Sequence, residues 1–202
     1  MSVSFEQSET RLNLMRAFAG ESQARNRYTY AAGLAKKKGL EVVQQVFLFT
    51  ADQEKEHGKI FYDLLQPVSG QNLVVDGGYP VDLYSDMLDV LKAAAHNENE
   101  EHDTVYSGFS KIAAQEGFDA IAHTFSMIGG IEKTHAQRFE RFAELMAENK
   151  LFVSDVETGW ICLNCGQVIH STAAPAICPV CKHGQGFFVR MELAPYTLAH
   201  RG

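Results

Sequence analysis

Residues 52–59 read Asp52-Gln53-Glu54-Lys55-Glu56-His57-Gly58-Lys59, and the fold turns on the pair inside them, Glu54-x-x-His57. On a helix, residues three apart lie on one face, one above the other, so this carboxylate and imidazole can grip one metal ion together. The device returns as Glu132-x-x-His135. Two such pairs on two helices are half of a carboxylate-bridged site for two metal ions inside a four-helix bundle; a Glu from each of two further helices completes it.

The remaining helices supply them. A helix expected over 4–37 carries Leu14, Phe18, Glu21, Ala24, Tyr28, Ala31 and Ala35 on one stripe, and Lys36-Lys37-Lys38-Gly39 suits its end. A second, 41–66, carries Val43, Phe47, Thr50, Glu54, His57, Phe61 and Leu64. Residues 67–80 are rich in Pro and Gly and read as one long crossover. A third helix, 81–115, is expected to bend near Ser107-Gly108 and to show Met87, Leu91, Ala94, Glu98, Glu101, Val105 and Ile112. After a tight turn at Glu116-Gly117, a fourth, 118–149, carries Ile121, Phe125, Ile128, Glu132, His135, Phe139 and Phe142. Glu54 follows Glu21 by 33 positions and Glu132 follows Glu98 by 34, so the bundle reads as two related hairpins facing one site.

Glu21, Glu54, Glu98, Glu101 and Glu132 thus fall on interior stripes, where an unpaired carboxylate is costly. Two other readings compete: a wrong helix phase that leaves them in water, or a buried network with Arg25 or Arg27, which gives the histidines no role. Oxygen and imidazole ligands with open positions suit iron or manganese better than a closed zinc site. Four carboxylates with two neutral imidazoles balance two divalent ions, and Glu101, one turn past Glu98, can serve a more oxidised pair.

From Leu151 the composition changes. Short β-prone stretches (Phe152-Val153, Trp160-Ile161, Phe187-Phe188-Val189) alternate with Gly, Pro and Cys, which puts a boundary between domains 1–150 and 151–202. All four cysteines lie there, as Cys162-x-x-Cys165 and Cys178-x-x-Cys181, a strong pattern for a four-thiolate metal site. Spacing alone admits zinc as readily as iron. The net charge of −7 without a basic run argues against nucleic acid. No stretch approaches the roughly 18 apolar residues of a membrane span. With no apolar leader near Met1, the expected location is the cytoplasm.

Taken together, Ala19-Gly20-Glu21-Ser22-Gln23-Ala24-Arg25-Asn26-Arg27-Tyr28, Glu54-Lys55-Glu56-His57, Glu98-Asn99-Glu100-Glu101, Glu132-Lys133-Thr134-His135 and the two Cys pairs resemble the rubrerythrin family, over nearly the whole chain. The resemblance implies a mainly α fold, a ferritin-like four-helix bundle joined to a small β-rich rubredoxin-like domain. It implies a di-iron site on Glu21, Glu54, His57, Glu98, Glu101, Glu132 and His135, and one iron on Cys162, Cys165, Cys178 and Cys181. The implied activity is reduction of hydrogen peroxide to water in oxidative-stress defence. Electrons would come from NAD(P)H through a separate reductase, or from a rubredoxin, to the rubredoxin-like iron. His57 and Glu101 are implied to exchange at one iron on oxidation. Tyr28 and Tyr106 match tyrosines near the family's site, where they could bond ligand carboxylates or relay protons; ordinary core tyrosines are the alternative. His96 and His102 read as surface histidines, and Gly129-Gly130 inside a helix as a close approach or a bend. A different function class, a ferroxidase or iron-binding protein with a structural zinc ribbon, fits the same ligands. Helix length suggests a head-to-tail homodimer, because about 14 helical residues separate His135 from the Cys domain, roughly 20 Å.

Overall fold

The computed structural model describes residues 3–195, so the chain's first two residues and the last seven of the expected second domain lie outside the described residues. Helices α1 (Glu9–Lys37) and α2 (Glu41–Leu64) form one antiparallel hairpin. Ser8 caps α1, its Oγ accepting from the Arg11 N–H, after a single turn of 3-10 helix over Phe5–Gln7. Helix α3 (Met87–Glu100) continues through a π-helical segment, Glu101–Tyr106, into α4 (Ser107–Glu116), and this composite helix pairs with α5 (Asp119–Ala147). Helices α1, α4 and α5 stop where the chain turns left-handed, at Gly39 (φ 68°), Gly117 (φ 88°) and Asn149 (φ 56°). In each case the next N–H reaches back to close the last turn: Leu40 to the Ala35 carbonyl, Phe118 to Ala113, Lys150 to Leu145.

Two expectations for the third helix are corrected. It begins at Met87, not Val81, because the Asp86 carboxylate accepts from the Leu88 N–H and so makes the cap. Val81 and Leu83 stay exposed on a crossover that lies along α1, held by an Asp76–Arg16 ion pair and a Tyr79 hydroxyl on the Arg16 carbonyl. The helix departs from regular α geometry in the π segment, which ends directly before Ser107. A π turn accommodates one extra residue, so the interior stripe slips by one. Tyr106 and Ala113 are buried, where Val105 and Ile112 were expected to point inward.

The bundle core is split in two. One apolar cluster gathers Tyr28, Val43, Phe47, Leu91, Phe139 and Phe142; the other gathers Leu14, Phe61, Tyr106, Phe125 and Ile128. The carboxylates and imidazoles form a layer between them, on helices whose positions are set from both sides.

The second unit is a three-stranded antiparallel sheet in the order β2-β1-β3: β1 (Val153–Cys162), β2 (Val168–Ala173) and β3 (Phe188–Arg190). Phe152-Val153 and Trp160-Ile161, read as separate stretches, belong to one run of chain that forms β1 with an irregularity between Val153 and Thr158. β2 had not been expected, since none of its residues is fully buried, half are exposed, and they carry no apolar alternation. Trp160 and Phe188 fill a small core beside Cys162 and Cys178. The buried Arg190 ties this unit to the chain leaving α5, donating to the carbonyls of Lys150 (2.9 Å) and Val153 (2.6 Å) and lying over the Trp160 ring. Val189 joins the bundle's own core cluster. Gly186 sits directly on the Gly39 carbonyl, where a Cβ would lie 2.0 Å from that oxygen. The Cys unit therefore docks at the Gly39–Glu41 end of the bundle.

Candidate metal centres

The bundle site builds itself from paired geometry. Glu54 and Glu132, on α2 and α5, each place one carboxylate oxygen toward His57 and the other toward His135. From His57 Nδ1, Glu54 Oε2 and Glu132 Oε1 are both 3.1 Å away. From His135 Nδ1, Glu54 Oε1 and Glu132 Oε2 are both 2.9 Å away. Glu21 on α1 closes the His57 side and Glu98 on α3 the His135 side, at 4.0 and 3.5 Å. The ligand atoms form two four-membered sets, Glu21/Glu54/His57/Glu132 and Glu54/Glu98/Glu132/His135, each within 4.8 Å, and all these residues are buried. The sets share Glu54 and Glu132, as two metal ions bridged by two carboxylates require.

Three observations test the fit of metal. Glu21 Oε2, Glu98 Oε2, both Glu132 oxygens and both His135 nitrogens are buried without hydrogen-bond partners, a costly arrangement unless something else binds them. The outward oxygens are already held by phenols: Tyr28 donates to Glu98 Oε1 and Tyr106 to Glu21 Oε1. Each tyrosine thus orients a carboxylate of the opposite hairpin. Finally, the 2.9 Å contact of His135 Nδ1 with Glu54 Oε1 lacks hydrogen-bond geometry, as expected of two atoms aimed at a shared ion.

Without metal, protons balance the charge. Burial would lift Glu54, but the contacts with His135 and His57 outweigh it and hold its carboxyl at about 2. Burial would depress the imidazoles, but their carboxylate neighbours raise His57 to about 9 and His135 to about 12. Burial and the Glu54 charge lift Glu98 to about 8, and burial with Glu132 and Glu54 lifts Glu21 well above the ordinary range. Part of Glu101 reaches the surface, yet its carboxyl is enclosed, and burial followed by Glu98 and Glu132 raises it as well. Glu101 belongs to neither four-membered set. An opening of about 170 Å³ between α1 and α2, lined by Phe18, Ser22, Arg25, Asn26, Lys55 and Gly58, reaches Glu54 from outside.

The Cys site is built from two matching turns. After Cys165 the chain is left-handed at Gly166 (φ 77°), and after Cys181 at Lys182 (φ 65°). In the first turn Gly166 N–H bonds the Cys162 carbonyl (2.8 Å) and Cys162 N–H the Gln167 carbonyl (2.9 Å). In the second, Lys182 bonds Cys178 (3.0 Å) and Cys178 bonds His183 (2.8 Å). A glycine takes the left-handed position in the first turn and a lysine takes it in the second. Backbone N–H groups of Asn164, Cys165, Gln167 and His183 point at sulfur, and the one from His183 holds Cys181 down at about 5. Cys162 Sγ lies 3.6 Å from Cys181 Sγ and Cys165 Sγ 3.7 Å from Cys178 Sγ. A tetrahedral metal with bonds of about 2.3 Å has sulfur–sulfur edges of about 3.8 Å, whereas a disulfide would need about 2.05 Å.

Every expected ligand except Glu101 therefore falls in one of three four-membered sets. Of the other histidines, His96 is exposed, but His102 is not the plain surface residue expected: its Nδ1 meets the Gly129 carbonyl at 2.7 Å. Gly129 provides close approach rather than a bend, since a Cβ there would lie 3.2 Å from Tyr106 Cβ. The tie of Arg27 to Asp82 on the crossover (3.1 Å) gave no sequence signal, because nothing in spacing links a loop to a helix 55 positions away.

Fold and sites together define a class: a ferritin-like helical bundle with a buried carboxylate–histidine site for two metal ions, joined to a rubredoxin-like four-cysteine domain. Comparison with known proteins narrows it. The rubrerythrin family model matches residues 13–143, and that of the rubrerythrin rubredoxin-like domain matches 160–189. A rubrerythrin of Porphyromonas gingivalis is 41% identical over 192 residues, 95% of this chain and 94% of that protein. One of Nitratidesulfovibrio vulgaris is 40% identical, over 92% and 95%. Among solved structures, nigerythrin superposes with a TM-score of 0.61 at 25% identity, over 94% of this chain and 88% of that one. A bacterioferritin of Mycobacterium tuberculosis shares the bundle fold, with a TM-score of 0.61 at 15% identity over 74% and 91%. The chain belongs to the rubrerythrin family. No helix among the described residues is long and apolar enough to cross a membrane.

Proposed function

We propose that this protein reduces hydrogen peroxide to water at a di-iron site held by Glu21, Glu54, His57, Glu98, Glu132 and His135, with electrons relayed through one iron on the four cysteines. The observation that carries this reading is the double span of Glu54 and Glu132 across both imidazoles, in a chain that also holds a tetrahedral sulfur site. Oxygen and imidazole ligands favour iron or manganese in the bundle, and thiolates suit iron in the second unit. When bound, a ferrous pair supplies two electrons which, with two protons, convert one peroxide into two waters.

The chain's own groups handle those protons. Burial and the adjacent carboxylates hold the Tyr28 and Tyr106 phenols well above their ordinary value, so they stay protonated and keep Glu98 and Glu21 oriented. Glu101, also raised by burial and the neighbouring carboxylates, can hold and release a proton beside the site, and its carboxylate and the His57 imidazole would be the two alternative ligands for one ion of a bound pair. The small opening beside Glu54 suits a molecule of peroxide's size. Its rim carries Arg25, and Lys55 next to Glu56, which favours a neutral molecule over a ferrous ion and so this reading over the ferroxidase one.

The Cys unit docks at the Glu41 end of α2, and Glu54 lies 13 residues further on (54 − 41), about 20 Å along the axis. That separation supports a head-to-tail homodimer in which each chain's Cys centre faces its partner's bundle and takes electrons from an NAD(P)H-linked reductase or from a rubredoxin. The test of the activity is anaerobic reduction followed by one equivalent of peroxide, with both centres followed optically. Rapid oxidation of the bundle iron, with turnover restored by donor through the Cys centre, is expected. Oxidation by dioxygen with continued iron uptake, and indifference to peroxide, would favour the ferroxidase instead. The dimer is tested by pairing a Cys178→Ser chain with a Glu54→Ala/His57→Ala chain: cross-chain relay leaves donor-linked activity in the mixed dimer, and relay within a chain leaves none.

A further inference from the structure

Tyr28 and Tyr106 do the same work from chains that count differently. Tyr28 follows Glu21 by seven residues and bonds Glu98; Tyr106 follows Glu98 by eight and bonds Glu21. Seven residues bring an α-helix back to nearly the same face, whereas the eighth lies about 100° further round. The π segment Glu101–Tyr106 absorbs the extra residue and turns Tyr106 inward. Tyr28 needs nothing beyond a regular helix. Tyr106 needs the π turn to persist, although its hydrogen bonding is the poorer of the two.

We infer that His102 and Gly129 form a clamp that seats this π turn on α5 and thereby positions Tyr106 on Glu21. His102 lies inside the π segment, and its Nδ1 is 2.7 Å from the Gly129 carbonyl. A carbonyl only accepts, so Nδ1 carries the proton and donates. As a mid-helix carbonyl, Gly129 has a second lone pair free for this bond. The same residue leaves the space into which Tyr106 fits: a Cβ at 129 would stand 3.2 Å from Tyr106 Cβ and force the two helices apart by a few tenths of an ångström. One residue of α5 thus holds the start of the π turn through its carbonyl and admits the end through its missing side chain. His102 and Gly129 are positioning residues; neither belongs to the ligand sets.

The test uses the full-length, metal-loaded protein. In His102→Leu, amide exchange within 101–106 should quicken by about tenfold or more, while α1 and α2 keep their protection. In His102→Asn, whose Nδ2 can stand in for Nδ1, exchange should stay within about threefold of the parent. Gly129→Ala should quicken the same amides without altering His102, which covers the case of a His102 variant that does not fold. A second readout rests on the proposed peroxide activity: His102→Leu should slow single-turnover oxidation several-fold, and add nothing in a Tyr106→Phe background. Equal exchange in the Leu and Asn variants, or loosening spread evenly over the bundle, would overturn the clamp. Because exchange does not depend on activity, failure of the clamp and failure of the peroxidase reading are distinguishable.

Discussion

The two metal sites of this chain are organised on opposite principles. The bundle site draws ligands from four helices, from Glu21 to His135, and fixes them by burying everything around them. The Cys site draws its ligands from two short turns, fixes them by backbone N–H groups aimed at sulfur, and leaves Cys165 exposed. A buried carboxylate layer is expensive without a counter-charge, so the first site depends on protons or metal for its charge balance. The second depends on turn geometry, which local sequence enforces. Metal in the bundle therefore couples to the whole core, and metal between the cysteines to one small unit.

The largest expected effect breaks this contrast from the bundle side. Glu54→Ala removes a carboxylate common to both four-membered sets, and stoichiometric binding of both bundle ions should be lost while the thiolate spectrum persists. Metal analysis with visible spectroscopy checks it, and retention of two bundle ions would remove Glu54 from the bridging role.

Cys178→Ser attacks the other side. The thiolate spectrum should vanish with the bundle's unfolding temperature little changed, since Cys178 lies in the second unit's own small cluster and only Val189 of β3 is buried in the bundle's. Reduced bundle iron should still react once with peroxide, and donor-linked turnover should stop. Undiminished steady turnover would show that the Cys centre is not the relay.

A pH series sharpens the contrast in the metal-free protein. Glu98 has a folded value of about 8, above its unfolded one, so its protonated form favours folding and that contribution is lost as pH rises toward 8. His57, raised to about 9, contributes stability that is complete below its unfolded value near 6.5 and fades through 9. Glu54, held at about 2, keeps its full contribution above its ordinary value of 4.5 and loses it as pH falls toward 2. The metal-free bundle should therefore melt several degrees lower at pH 9 than at pH 6.5. Metal should flatten the trend, because binding displaces these protons. A rising melting temperature over that window would contradict the charge balance described here.

The smallest effect is at Glu101, outside both sets. Glu101→Ala should leave two bundle ions in place and slow peroxide turnover by about 10- to 100-fold, the range of an acid–base contribution or an outer ligand. Loss of the ions with this substitution would make Glu101 a resident ligand.

Much of this was legible before the fold was known. Both Glu-x-x-His pairs declare themselves because three-residue spacing on a helix is a contact, and the Cys-x-x-Cys turns because four residues suffice to build them. Gly39 and Gly117 mark helix ends because a left-handed residue is a local event. The start of α3 was misplaced because Val81-Asp82-Leu83 looks periodic while Asp86 holds the cap. Half-exposed β2 escaped because its pairing with β1 is written in hydrogen bonds more than in side chains.

Sequence by itself determined which carboxylates, imidazoles and thiols gather into the three four-membered sets, Glu101 apart, and that the chain divides into a helical and a cysteine-bearing part, since those patterns are local and repeat. Only the tertiary structure decided the π turn, the slip by which Tyr106, set near the site by resemblance alone, takes the inward place that the helical count gave to Val105, and the roles of His102, Gly129 and Gly186. Each of these depends on a partner far away in the chain, and an α-helical count carries no sign of the one residue that a neighbouring helix allows the turn to absorb.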